Sequence, residues 1–232
     1  MRIRKRYIKG PVYLTIAASI RSPDIRALAI SAGWQGYEPI YCTINAGVDV
    51  VTLTVQNLPD HLLQLINKGR IGGVVNGGTG LLASCKFSLV NTGGIIFGGG
   101  GDGGDGGSAW ARYTAGGGTV DASGGRGGGG AGFNTAGALT FVNSSAGDTG
   151  QYSEYSGAVL GGDSRPWARG GSGGSGGAMG ANGSPGNTGD YGGSAAAGSR
   201  NTGQGGVLAG YAIDGWANVN VLAAGSILGR TR

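Results

Sequence analysis

The chain has 232 residues, a formal net charge of +5, two cysteines, one histidine and 56 glycines, against a usual glycine share of about 7%. Two distant cysteines, Cys42 and Cys85, exclude a disulfide framework and read as free buried thiols. A charged fraction of 12% is low for a solvated disordered chain, and no apolar run approaches the length of about 20 residues that a membrane helix needs.

The charge is local. "MRIRKRYIKG" at the start carries Arg2, Arg4, Lys5, Arg6 and Lys9 with no acid, and the remaining 12 basic residues balance 12 acidic ones. The body therefore has no basic face suited to nucleic acid. A basic stretch followed by the apolar "VYLTIAASI" imitates a signal peptide. The apolar run is short, is interrupted by Thr15 and follows Pro11, so it predicts a half-buried strand with Val12, Leu14 and Ile16 on one face.

"SPDIRALAISAGW" (22–34) predicts a helix. Ser22 serves as N-cap, Pro23 takes the first helical position, Asp24 suits the positive end, and Ile25, Leu28, Ala29 and Ala32 share a face that Gly33 closes. "EPIYCTINAG" and "VDVVTLTVQN" predict strands around a turn at Asn45-Ala46-Gly47. A repeat follows: "LINKGRIGG" from Leu65, "LVNTGGIIFGG" from Leu89 and "VLAAGSILG" from Val221. Each is an apolar pair, a small or amide residue, a glycine turn and an isoleucine, which predicts a short strand turning into a second short strand. The irregular spacing favours rungs of a β-rich layer over a closed solenoid. The third copy, at the C-terminus, predicts a return to that layer.

Glycine divides the chain near Thr92. Residues 1–92 hold 10, residues 93–210 hold 43 and the last 22 hold three. From Gly171 to Gly192 glycine recurs at every third position eight times. Three residues per turn is the polyproline II repeat, which makes no internal hydrogen bonds. Its amides need lateral partners, because a buried unpaired amide costs about 1–3 kcal/mol. Collagen needs proline at about 15–20%, and this chain has six prolines. The period predicts a bundle of such helices with glycine wherever two backbones touch. Glycine on two phases in "GGGGDGGDGG" (98–107) and "GGRGGGG" (124–130) predicts neighbours on two or three sides. The run after Gly177 has one phase, which predicts one packed side with Met179, Asn182 and Tyr191 facing out.

The fold class expected is mainly β: a small β-rich N-terminal domain with one short helix (1–92), then a polyglycine II helix bundle with end loops (93–232). The connections "SAWARYTA" (108–115), 133–169 and "SAAAGSRNTG" (194–203) interrupt the glycine. They carry Trp110, Arg112, Tyr113, Tyr152, Tyr155, Arg165, Trp167, Arg169 and Arg200. Aromatic and arginine side chains on loops held by a stiff scaffold suit recognition. The plain alternative is that the aromatics fold back as lids over bundle ends.

Other motifs carry little. "GSGGSG" (171–176) fits a dinucleotide fingerprint but does not lie between a strand and a helix. "GGDGGD" (100–105) begins a calcium-roll repeat with Asp102 and Asp105, yet has one copy and Gly107 where an apolar residue belongs. Arg126 and Arg169 beside glycine pairs are two scattered copies of an RNA-binding pattern. His61, the lone histidine, follows Pro59 and Asp60 in a turn with no nucleophile signature nearby. Glu154 and Asp163 are the loop carboxylates that a glycosidase would need. No cofactor, metal or catalysis is expected.

"RALAISAGWQGYEPIYCTINAGVDV" with "LINKGRIGG", then "LVNTGGIIFGGGGDGGDGG", then "GYAIDGWANVNVLAAGSILG" resembles, in that order, the glycine-rich receptor-binding tips of bacteriophage tail fibres, including the T-even distal adhesins. The resemblance implies an attachment domain in residues 1–92 that meets a tail-fibre or tail-tip protein. It also implies variable bundle-end loops that meet a bacterial surface receptor (outer-membrane protein, pilus or glycan). The implied location is the virion tail tip, after assembly in the host cytoplasm. Those adhesins place aromatic residues near the start, whereas here no tryptophan precedes Trp34 and the start is basic; the chain serves as a lone cap or within a homotrimer. The rival expectation is an ice-binding glycine bundle, which requires a flat, regular face; the triplets after Gly177 are not regular.

Overall fold

The computed structural model describes residues 10–193 and 196–232; the basic stretch before Gly10 lies outside them. The chain is mainly β, with one α-helix among the described residues.

The first turn of chain comprises β1 (Val12–Ile16), β2 (Ile20–Arg21) and α1 (Ile25–Ser31). The next holds β3 (Ile40–Ile44), β4 (Asp49–Val51) and β5 (Leu53–Val55); the third holds β6 (Leu63–Asn67), β7 (Arg70–Gly72) and β8 (Leu81–Ala83). A fourth turn starts with β9 (Phe87–Val90) and β10 (Ile95–Phe97). It is then interrupted by more than a hundred residues, which contain β11 (Ala109–Tyr113), β12 (Thr119–Ala122), β13 (Gly132–Phe133), β14 (Phe141–Val142), β15 (Tyr152–Glu154), β16 (Trp167–Arg169), β17 (Asp190–Gly192) and β18 (Ala196–Arg200). The fourth turn resumes at β19 (Tyr211–Asp214), and β20 (Val219–Ala223), β21 (Ser226–Leu228) and β22 (Arg230–Thr231) form the fifth.

Strands from successive turns pair in parallel to make three sheets, ordered β1-β3-β6-β9-β20, β2-β4-β7-β10-β21 and β5-β8-β19-β22. This is a three-faced coil, not the layer that the irregular spacing suggested. The irregularity is an insertion: the bundle occupies the corner between the second and third faces of the fourth turn. In-register columns run up the faces, such as Leu14–Cys42–Leu65–Leu89–Val221 and Ile20–Val50–Ile71–Ile96–Ile227. Most of these side chains are buried, and each fully buried one contributes about 1.5–3 kcal/mol. Burial in this core pushes the Cys42 thiol up to about 12 and raises that of Cys85; both are free.

The strand–amide–glycine–isoleucine repeat marks the corner between the first two faces. There Asn67 Nδ2 donates to Asn91 Oδ1 (2.7 Å), and Asn67 Oδ1 accepts from the Gly69 amide. Both asparagines are fully buried, and each supplies partners for the other and for the turning backbone.

Helix α1 begins later than the sequence suggests. Asp24, not Ser22, accepts from the amides of Arg26 and Ala27, because Ser22 sits at φ +46° and Asp24 bridges to Thr54 as an extended residue. Ile25 and Ala29 are buried, whereas Ala32 is exposed. "VDVVTLTVQN" forms two strands, since Thr52 at φ +52° turns the chain from the second face to the third.

Six extended segments of the insertion bond laterally: 98–108, 123–131, 143–151, 170–178, 181–189 and 201–210. The bonds recur at every third residue. Gly100, Gly103 and Gly106 donate to Ala131, Gly128 and Gly125, while Gly101, Gly104 and Gly107 donate to Ala181, Ser184 and Asn187. The first segment also accepts from the fourth (Gly171, Gly174, Gly177) and the sixth (Asn201, Gln204, Val207). The full set of partners defines two offset rows of three: second, first and sixth in one, third, fourth and fifth in the other. The first and fourth are central with four neighbours each, and both carry glycine on two of three phases. The third, at a row end, keeps Gly147 and Gly150 alone, each facing the fourth. The Asp102 and Asp105 carboxylates serve the bundle: their Oδ1 atoms accept from the Gly130 and Gly127 amides, 2.8 Å each.

The unbroken glycine period from Gly171 to Gly192 conceals a reversal. Residues 170–178 and 181–189 are antiparallel neighbours, with Ser184 and Asn187 donating to Ser175 and Ser172. The turn between them places Gly180 at φ +70°. Met179 therefore packs against Phe97 and Phe133 rather than facing out, and Tyr191 packs on an alanine cluster. Asn182 is exposed, as expected, while its Oδ1 accepts from the Ala209 amide.

The long connection expected at 133–169 is split between the two ends of the bundle. Its first part, β13 and β14, closes the end next to the coil, where Phe97, Phe133 and Phe141 meet at centroid distances of 5.4–5.8 Å. Arg21 ties this hairpin to the coil through Asn134. The Arg70 guanidinium, paired with Asp49 at 2.7 Å, lies over Phe133 and Phe141.

Candidate functional site

At the other end, remote from the coil, three connections meet: 109–122, 152–169 and 190–200. They form two three-stranded antiparallel sheets, β12-β11-β18 and β15-β16-β17. The core between them is built from small side chains: Ala109, Ala111, Ala122 and Ala168, with Val120, Tyr191 and Ala196 around them. Alternation along β11 (buried Ala109, Ala111 and Tyr113; exposed Trp110 and Arg112) is the period-two pattern of a strand with one wet face.

All nine residues singled out from the sequence, Arg165 among them, lie in this head, but in different settings. Trp110, 41% exposed, and Arg112 stand on the outer face of the first sheet. Tyr113 is 2% exposed. Its hydroxyl donates to Asp163 Oδ2 (3.0 Å) and accepts from the Leu160 amide (2.7 Å), so it is a lid that ties the 155–166 loop to the sheet and not a surface contact. Asp163, considered as a catalytic carboxylate, is engaged in that tie. Tyr155, half-buried, stacks on Tyr113 at 5.6 Å and covers Gly118, where a Cβ would lie 2.0 Å from its ring.

Tyr152, Trp167 and Arg169 share the outer face of the second sheet. Cross-strand register places Tyr152, Arg169 and Asp190 in one row and Glu154, Trp167 and Gly192 in the next. Tyr152 is 61% exposed and stacks on Trp167 at 6.3 Å. The Trp167 indole lies over Gly192, whose Cβ, if present, would be 2.7–3.0 Å from three indole atoms. Arg200 reaches from the first sheet to Asp190 on the second at 3.3 Å, both side chains being more than half exposed, a pairing worth little in stability.

Where the second sheet meets the bundle there is a depression of about 360 Å³. Trp167, Arg169 and Asp190 form its upper wall, Gly170 and Gly171 its floor, and Thr149, Ser172, Asn187 and Thr188 its sides. The central fourth segment contributes Gly170, Gly171 and the Ser172 side chain, and the flanking third and fifth contribute Thr149, Asn187 and Thr188. Asn187 Nδ2 donates to Ser172 Oγ at 2.8 Å. Thr149, Ser172, Asn187, Thr188 and Asp190 were missed from the sequence. Within a glycine repeat their only signal is a polar residue between glycines, and it becomes informative once the segments are seen to be neighbours. Among the described residues no cluster of three or more His, Cys, Asp or Glu could hold a metal.

Among solved structures, the chain is similar to one from the "gp37-gp38 adhesin tip complex of the bacteriophage S16 long tail fiber", with 21% identity, a TM-score of 0.43, and coverage of 97% of this chain and 82% of that one. No curated protein sequence matches. The family model for the phage tail fibre adhesin Gp38 matches residues 11–232, from the start of the coil, through the glycine insertion and its head, to the last residue. The chain belongs to the phage tail fibre adhesin Gp38 family.

Proposed function

We propose that this adhesin is a non-enzymatic receptor-binding protein of the T-even distal kind, carried at the virion tail tip after assembly in the host cytoplasm. Its six glycine segments act as threefold polyglycine II helices that hold the head away from the coil. The head meets the bacterial surface receptor through Trp110, Arg112, Tyr152, Trp167, Arg169 and Arg200. The observation that carries the reading is the convergence of three sequence-distant, aromatic- and arginine-bearing connections on one end of a laterally bonded scaffold. A scaffold built of backbone contacts tolerates little change, whereas its end connections are free to vary, and loops of that kind are where recognition resides.

Residues 1–92 form the attachment domain and residues 93–232 the receptor-binding domain, whose last strands sit on the coil. In support of fibre docking through the first part, the turn bearing α1 exposes Tyr13 (73%), Tyr37 (56%), Ile30 (47%) and Ile20 (37%), with Tyr13 stacked on Tyr41 at 5.4 Å. The test is exchange of 109–122, 152–169 and 190–200 between two phages of different host range. Host range should follow the exchanged head. If it follows residues 1–92 instead, the two ends have the opposite roles.

A further inference from the structure

The depression beside Trp167 has a chemistry of its own. It combines a flat apolar ring, a set of short polar groups and an arginine. The ring is the Trp167 indole, which lies over the Gly192 backbone, has Tyr152 stacked beside it at 6.3 Å and lines the depression. The polar groups are Ser172, Asn187 and Thr188. Because the Asn187 amide donates to Ser172, the Asn187 carbonyl and the Ser172 hydroxyl proton are left for a ligand. The Arg169 guanidinium has no hydrogen bond or ion pair among the described residues, while neighbouring Asp190 is engaged by Arg200.

We propose that this depression is a saccharide subsite that takes a pyranose ring bearing one anionic group, its C–H face on Trp167, its hydroxyls on Ser172 and Asn187, and its carboxylate or phosphate on Arg169. This deepens, and rests on, the reading of the head as receptor-binding. A pyranose has one face of C–H bonds and a rim of hydroxyls, which matches an aromatic platform beside hydroxyl and amide groups. The cavity of about 360 Å³ lies at the lower end of the range of roughly 300–1,000 Å³ for small-molecule sites. The floor is backbone, so the ring sits against Gly170 and Gly171 without displacing a side chain. Arginine binds carboxylate and phosphate through paired N–H groups, which gives orientation as well as attraction.

The experiment uses the full chain with four probes: glucuronate, glucose 6-phosphate, methyl glucoside and inorganic phosphate. Binding is read by saturation-transfer NMR and by Trp fluorescence. Glucuronate and glucose 6-phosphate should bind with Kd on the order of 1 mM, with the strongest transfer to ring C–H protons. Methyl glucoside should bind about tenfold more weakly. Arg169→Gln, at an exposed position, should weaken the anionic sugars about tenfold and leave methyl glucoside within twofold. A second variant, Asn187→Leu, should weaken all three sugars. Preference for glucuronate or for glucose 6-phosphate identifies the anion as carboxylate or phosphate. The proposal is overturned if inorganic phosphate binds as tightly as the sugars, or if Arg169→Gln changes nothing. A parallel assay asks whether the chain blocks phage adsorption. Blocking without sugar binding removes the saccharide subsite and leaves the adhesin reading intact; sugar binding without blocking does the reverse.

Discussion

Replacing Gly174 by alanine tests the bundle at its centre. Gly174 lies in the fourth segment, donates to Gly104 O at 2.8 Å and accepts from the Gly128 amide at 2.8 Å. A Cβ there would lie 2.0 Å from Ser184 O and 2.6 Å from Pro185 O, and real Cβ atoms do not approach closer than 3.0 Å. The obstacle is backbone, so the fifth segment must retreat by about an ångström. The Ser184→Ser175 and Asn187→Ser172 bonds, both 2.8 Å, then stretch past hydrogen-bonding distance. Two bonds lost, with part of their donors left unpaired, cost about 2–5 kcal/mol, which for a chain of this size lowers Tm by about 5–15 °C. The control is Gly205→Ala in the sixth segment, where an added Cβ meets nothing within 4 Å. That variant should be neutral or more stable by about 0.4–1 kcal/mol, through the reduced freedom of the unfolded chain. Calorimetry of both reads the difference. If the two variants melt within a degree of each other, the contacts between segments are not what requires glycine, and the lattice reasoning fails.

Other expectations concern single groups. Tyr113→Phe removes the hydroxyl that joins Asp163 and the Leu160 amide; it should loosen the 155–166 loop by about 1–3 kcal/mol, read as faster limited proteolysis there with little change in the coil. Asp102→Ala leaves the Gly130 amide without its acceptor and should cost about 1–2 kcal/mol, while chelators should leave the parent's Tm unchanged because the carboxylate serves a backbone amide. Cys42 has its thiol raised from 9.0 to about 12 by burial, so the folded state holds that proton more tightly. The corresponding stability is complete below pH 9 and is lost as pH rises from 9 towards 12; Cys42→Ala should flatten that decline in Tm, and the native thiol should resist alkylation at pH 8. Trp110→Ala, at a half-exposed site with no core role, should reduce adsorption at least tenfold with Tm within about 2 °C of the parent.

How much was legible in the sequence differs by element. The mainly β character followed from short β-branched runs between glycine turns, and β1 followed from the alternation of Val12, Leu14 and Ile16. The helix was legible in its apolar face but not in its cap, because Asp24 is recruited by a bridge to Thr54 that lies thirty residues away. The coil was not legible as a coil. Its strands are two to five residues long, too short to show which face each belongs to, and one of its turns is split by the bundle.

The sequence by itself determined where backbones can touch: both central segments carry glycine on two phases, as does the second, while the third and fifth keep glycine on one phase. It did not determine how the segments are ordered or where the chain reverses. These segments have no internal hydrogen bonds, so every partner is non-local, and a contact repeat of three reads the same in either chain direction. The turn at Met179–Gly180 therefore leaves no break in the period. Only the tertiary structure showed that 133–142 closes the coil end while 152–169 builds the head, that Tyr113 is buried where Trp110 is exposed, and that a glycine floor between two polar-flanked segments opens beside Trp167. Those distinctions depend on which neighbour each backbone amide finds, and that choice is made by the folded assembly as a whole.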